Sequence, residues 1–301
     1  MDVLTPRDVP LGGLRAMTVR RTLPQRGRTL IGAWCFVDHY GPDRVEETDG
    51  MVVPPHPHTG LQTVSWLFTG EIEHRDSAGH HATVRPGEVN LMTAGRGISH
   101  SEYSTPGTTT LHGAQLWLAL PDGDRHVDPT FEHHAPEPVS GEGWEARVFL
   151  GSLLGSTSPV RTFTPLMGAE LVLAAGSTLR VPVDPTFELG LLVDTGSVRV
   201  DGELLARDAL GFLEPGRDAL ELAADEDTRL LVIGGPPFGE EIVMWWNFIG
   251  RDHDEVVAYR RDWEARIDAG DTSRFELPAG DPLPALHAPT LPGVRLVRRG
   301  P

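Results

Sequence analysis

Two short segments of this chain carry residues whose types and spacing suit a metal ion. The first is Pro55-His56-Pro57-His58. In an extended strand, side chains two apart point to the same face. His56 and His58 would then stand side by side, a natural grip on a transition metal. The flanking prolines suit a strand start or an edge strand. The second segment is Gly95-Arg96-Gly97-Ile98-Ser99-His100-Ser101-Glu102. His100 and Glu102 share a face by the same rule, and the glycines allow a tight bend leading into them. Taken alone, a His-x-His pair is equally compatible with exposed turns. Taken together, the two pairs can converge on one ion, because 42 positions separate His58 from His100, enough for three or four short strands. Three nitrogens and one carboxylate oxygen leave one or two coordination positions for water, O2 or substrate. This set suits a divalent Fe, Ni, Mn, Cu or Zn, and donor type alone does not choose among them.

The elements that must position these residues read as short strands. Apolar runs such as Thr63–Phe68 and Leu189–Val193 end at turn signals, and 34 glycines and 26 prolines are scattered along 301 residues. That pattern predicts an all-β chain built of barrels or sandwiches. The length fits two units of about 150 residues. One helix is predicted near the C-terminus, over 253–268, with Gly270 to end it. A repeat supports the division into two. Thr63–His74 and Leu189–Val200 both give an apolar strand, a Thr-Gly turn and a second strand. Arg85–Arg96 and Arg207–Arg217 match more loosely. The expected organisation is an N-terminal barrel over 1–135 and a C-terminal barrel over 136–301, the latter with the helix and a tail. The linker falls in the stretch Ala135–Gly143.

The repeat also bears on the chemistry. Aligned on its glycines, His56 falls on Pro182, His58 on Asp184, His100 on Glu221 and Glu102 on Ala223. No histidine occurs between His134 and His253. Only the N-terminal copy can hold the ion, an asymmetry that packing alone does not explain.

The formal net charge of -17, with all basic residues arginine, works against direct binding of nucleic acid. A single cysteine, Cys35, excludes an intramolecular disulfide, and its apolar neighbours mark it as a core filler. No stretch reaches the roughly 18 apolar residues of a membrane span, and no signal peptide is evident, so the expected location is cytoplasmic.

At this point the sequence resembles the pirin family, within the bicupins. The resemblance rests on Pro55-His-Pro-His-Thr-Gly-Leu-Gln-Thr-Val64, Gly70-Glu-Ile-Glu-His-Arg-Asp-Ser77 and Met92-Thr-Ala-Gly-Arg-Gly-Ile-Ser-His-Ser-Glu102. It extends to Arg28–Pro42 upstream and, more weakly, to Gly234–Asn247 downstream. It implies two tandem cupin-type antiparallel β-barrels packed face to face, with iron or another divalent metal in the first. The family's ligands fall on His56, His58, His100 and Glu102. Fe(II) is the metal the resemblance favours. Bacterial members are associated with oxidative ring opening of flavonols such as quercetin. Eukaryotic members act as iron-dependent transcriptional cofactors. Two departures stand out, Gln62 where many members have Glu and Leu91 where many have Trp.

Two functions are therefore expected to compete. In one, the metal binds a flavonol-like small molecule, O2 adds to it, and Glu102 is the nearby carboxylate able to take a proton. In the other, the site is a non-catalytic redox or metal sensor read by a protein partner. Gln62 favours the second, because by the period-2 rule it would face the cavity and supply no general base. The remaining histidines and aromatics read as structural. His74, His80 and His81 are expected at an exposed hairpin tip, Arg96 in an ion pair, and Trp245-Trp246 between the two barrels.

Overall fold

Residues 1–11 and 17–300 are described by a computed structural model. They form two barrels of matching design, each a seven-stranded sheet facing a four-stranded one. In the first barrel the large sheet runs Thr130–His134, Val89–Thr93, Leu61–Thr69, Thr110–Ala119, Trp34–Arg44, Met17–Leu23 and Arg7–Leu11. The small sheet runs Val52–His58, Ile98–Ser104, Ile72–Asp76 and His81–Val84. Every pairing between named strands is antiparallel. In the second barrel, Thr178–Pro182 pairs with Ala219–Ala223 just as Val52–His58 pairs with Ile98–Ser104 in the first. The repeated turns lie where the spacing placed them, with Gly70 (φ 85°) and Gly196 (φ 71°) in the left-handed region that glycine tolerates.

The two large sheets press their outer faces together. Val37, Val64, Trp66, Leu91, Leu116 and Leu118 from the first meet Phe149, Leu192, Leu210, Phe212, Leu231 and Ile233 from the second. Alternate strand residues therefore serve two cores, one inside a barrel and one between barrels. Leu91 is buried in that inter-barrel layer, so its departure from the family's usual Trp is a packing matter.

The termini do not stay within their own barrels. Asp2–Leu4 joins the edge of the second barrel's large sheet. Val139–Gly141, inside the stretch read as linker, forms the opposite edge. The helix spans His253–Ala269. Asp252 caps its N-terminus by accepting from the Glu255 amide at 3.0 Å, and Gly270 closes it at φ 72°. It packs through Val256, Tyr259 and Trp263 against Val243, Phe248 and Phe275. Trp245 and Trp246 belong to this cluster, half-buried, and not to the layer between barrels. No described helix is long and apolar enough to cross a membrane.

Among the polar contacts that tie the barrels together is a buried ionic cluster that no sequence motif announces. Asp194 of the second barrel inserts between two imidazoles of the first. Its Oδ1 accepts from His39 Nε2 at 2.8 Å and from His112 Nε2 at 2.6 Å, and Arg229 Nη1 lies 3.3 Å from Oδ2. Burial opposes the charge, but the bonds from His112 and His39 hold the Asp194 carboxyl well below the usual range. Its contribution is thus complete above the ordinary carboxylate pKa and is lost only as the pH falls through the depressed value. Removing one partner of a buried ionic cluster strands the others. Asp194→Ala should therefore lower unfolding stability by about 3–5 kcal/mol in urea titrations at pH 7. Removing the exposed Arg44–Glu46 pair should change it by less than about 1 kcal/mol.

Candidate metal centre

Register brings the histidines together. His56 pairs directly with His100 across the antiparallel ladder, and His58 pairs with Ile98. His56, His58 and His100 therefore face the barrel interior from adjacent strands. The register then slips between His100 and Glu102, where Glu102 meets Val53. Such a bulge re-aims the side chain that follows it. On its other edge Glu102 pairs with His74, and His100 with Asp76. His74 is thereby forced inward.

The three rings form a compact triangle, with centroids 4.4, 4.9 and 5.0 Å apart. All three are buried, as are His74 and Glu102. Their hydrogen bonds set the tautomers. A carbonyl only accepts, so His56 Nδ1 donates to Pro54 O at 2.9 Å and His58 Nδ1 donates to Asn247 O at 3.2 Å. Asp76 likewise only accepts. It takes a proton contact from His74 Nε2 at 3.3 Å, which leaves His74 Nδ1 to receive His100 Nδ1 at 3.4 Å. Each bond leaves a bare Nε2 on His56, His58 and His100. The Nε2 atoms of His58 and His100 face each other at 3.0 Å. Two lone pairs at that separation repel unless a cation lies between them. The donor set thus fits a divalent metal, and the groups behind it are those that orient metal-binding histidines elsewhere.

Electrostatics agree with that fit. Burial lowers the His56 pKa to about 4, and burial with the neighbouring imidazoles takes His58 and His100 well below their ordinary value. All three stay neutral, the form that binds metal. Burial raises the Glu102 carboxyl, against the pull of His74. Ser65 Oγ lies 3.3 Å from Glu102 Oε1 and 3.0 Å from Gln115 Oε1. The carboxylate of Glu102 converges with His74 and His100, while His56, His58 and His100 form a second, overlapping group.

A cavity of about 530 Å³ opens beside these residues. Its walls include Phe36 and Trp117, stacked at 4.0 Å, with Met51, Met244, Trp246 and Leu286. Arg21, Gln115 and Asn247 add polar groups, and Glu102 is the one carboxylate among the described residues of the lining. Arg21 is already held by Asp38, at 2.6 and 2.7 Å.

Two sequence expectations about the site need correction. His74 is not at an exposed tip. Ile72, His74 and Asp76 are buried in alternation along their strand. The turn begins only at Ser77, where His80 and His81 do reach solvent. Gln62 does not share a face with His56 and His58, because their strand ends at His58. Gly60 turns the chain at φ 69°, where a Cβ would lie 2.4 Å from Ile249 O, and Leu61–Thr69 joins the other sheet. Gln62 is buried and donates to Thr93 Oγ1 at 2.9 Å. Gln115 is the cavity amide instead. Trp246 and Asn247 also reach the site, from a segment with no counterpart in the motif. Arg96 is in an ion pair, with Asp128 at 2.9 Å.

The buried imidazoles carry a pH signature. In the unfolded chain they protonate near pH 6.5; in the fold burial lowers His56 to about 4 and takes His58 and His100 well below their ordinary value. Between those values the unfolded state binds more protons, so stability rises with pH. The metal-free protein should lose stability on acidification from pH 7 to 5, by up to about 1.4 kcal/mol per pH unit for each such histidine. Chemical denaturation of His58→Phe should show a shallower pH slope than wild type.

Comparison with known proteins places the chain. A family model for pirin matches residues 16–118, and one for the pirin C-terminal cupin domain matches residues 168–284. A Pseudomonas aeruginosa protein, provisionally named a quercetin 2,3-dioxygenase, is 45% identical over 93% of this chain and 90% of its own length. A pirin-like protein of Caulobacter vibrioides is 35% identical over 82% of this chain and 88% of its own. The crystal structure of a quercetin 2,3-dioxygenase from Acinetobacter baumannii superposes with a TM-score of 0.91 at 39% identity, covering 98% of this chain and 97% of that one. The chain belongs to the pirin family, with the two-cupin architecture of that family.

Proposed function

We propose that this protein is a metal-dependent flavonol dioxygenase of the quercetin 2,3-dioxygenase type. In this reading His56, His58, His100 and Glu102 hold one divalent metal, with Fe(II) the first candidate. The observation that carries it is the set of three bare Nε2 atoms, turned by their own hydrogen bonds toward a buried aromatic cavity that contains one carboxylate. The names borne by the Pseudomonas and Acinetobacter relatives support the substrate class.

The metal would supply Lewis acidity toward an enol or phenol oxygen and a path for O2. The protein's own residues do the rest. Phe36, Trp117 and Trp246 offer flat surfaces for an aromatic ring system, and about 530 Å³ lies within the usual range for small-ligand sites. Gln115 and Asn247 present polar groups for ring hydroxyls. Glu102, the carboxylate beside the histidines, takes the proton from the flavonol enol. Ser65, next to Glu102 Oε1, orients that carboxylate.

The competing reading, a non-catalytic iron-dependent sensor for a protein partner, rested on Gln62 as a cavity residue. Gln62 is bound to Thr93 in the other sheet, so that support is gone.

Metal-loaded protein should consume O2 with quercetin and bleach the flavonol absorption band. Glu102→Gln should slow turnover by about 100-fold or more, the scale of a lost general base. His56→Ala and His58→Ala should purify with little metal by elemental analysis. Absence of both O2 uptake and any flavonol spectral shift in the loaded wild type would sink the proposal.

A further inference from the structure

Residues 271–300, beyond the C-terminal helix, contain no helix or named strand, and Glu276, Gly280, Asp281 and Leu286 among them are bonded to residues of the first barrel. They lie on the outer side of the strands that carry the metal-binding side chains. In Ile98–Ser104 the residues alternate. His100 and Glu102 face in, and Ser99, Ser101 and Tyr103 face out. Ser99 and Ser101 are nonetheless fully buried, because the tail covers them. Ser99 Oγ donates to Glu276 O. Ser101 Oγ donates to Asp281 Oδ2, and Tyr103 OH donates to Asp281 Oδ1 at 2.6 Å. The Leu283 amide adds a third donor to the same carboxylate at 3.0 Å. Asp281 thus takes two of its three bonds from the residues flanking Glu102.

The tail grips the second strand as well. The Leu286 amide donates to Pro55 O at 2.8 Å, one residue before His56. The Leu286 carbonyl accepts from Trp263 Nε1 of the helix, also at 2.8 Å. Leu286 is therefore pinned at both its backbone groups, between the His56 strand and the helix. It also lines the cavity beside the histidines. Leu286 lies past residue 284, where the family match ends.

We propose that this tail is a working strap of the metal centre. Asp281 is a positioning residue that holds the His100–Glu102 strand from behind, and Leu286 is a specificity-determining wall of the cavity. Outer-shell groups of this kind fix the aim of the donors before the metal arrives. The role of Leu286 in ligand choice rests on the flavonol reading. The role of Asp281 does not, because it acts on the metal alone.

The test uses the full chain loaded with Co(II), whose visible d–d band reports donor geometry. Asp281→Asn is expected to give up Co(II) to EDTA about 10-fold faster than wild type and to shift the band. Tyr103→Phe, which removes one of the three bonds to Asp281, should move both readouts in the same direction by less. Asp254→Asn breaks the exposed pair with Arg295 elsewhere on the tail, and should leave both at wild-type values. A folded Asp281→Asn with wild-type release and spectrum overturns the positioning role. If that variant does not fold, Tyr103→Phe decides the question alone. Leu286→Ala should keep the wild-type release rate while changing by about 5-fold or more the ratio of dissociation constants for quercetin and for a flavonol with a bulky ring substituent. An unchanged ratio overturns the wall role. If the wild type binds no flavonol at all, the flavonol reading fails, and the release rates still judge the strap.

Discussion

The direct opposition of His56 and His100 in one antiparallel ladder is the constraint on which the rest of the centre depends. A slip of one residue would turn every inward side chain of that strand outward. The register is held from three sides. Inward, both rings are buried against the cavity. Along the ladder, the bulge before Glu102 absorbs the mismatch with Val53. Outward, the hydroxyls of Ser99 and Ser101 are tied to the C-terminal tail, on the face where a strand would ordinarily meet water.

Placing three imidazoles and a carboxylate in a closed barrel is costly. Burial removes the water that would solvate them, and it depresses the imidazole pKa values while raising that of Glu102. The arrangement persists because each ring has its outer nitrogen satisfied by Pro54 O, Asn247 O or the His74–Asp76 pair. The remaining unsatisfied atoms all point to one place. The second barrel has no such problem. At the matching pair of strands it carries Arg180 opposite Glu221, both exposed. Its part is to present the apolar sheet on which the first barrel rests and to supply Asp194 to the junction.

Much of this was legible in the sequence because it depends on local rules. The two i, i+2 pairs, the Thr-Gly turns at 69–70 and 195–196, and the helix between Asp252 and Gly270 each follow from the period of a strand or the geometry of a cap. What misled was continuity. Counting by twos from His58 to Gln62 assumes an unbroken strand, and Gly60 breaks it. For His74 the sequence offered no such signal, because Glu73, His74, Arg75 and Asp76 are all polar and only the strand pairing shows which of them face inward.

By itself, the sequence determined the kind of fold, the number of barrels, which barrel bears the candidate metal ligands, and which four side chains those are. These follow from residue type, spacing and the comparison of two repeats. Only the tertiary structure decided what surrounds them. Asn247 comes from 189 positions beyond His58, Asp281 from 178 beyond Tyr103, and Asp194 from 155 beyond His39. Contacts at such separations leave no periodic trace in the chain. They exist because closed sheets and a returning tail bring distant segments to the same few ångströms.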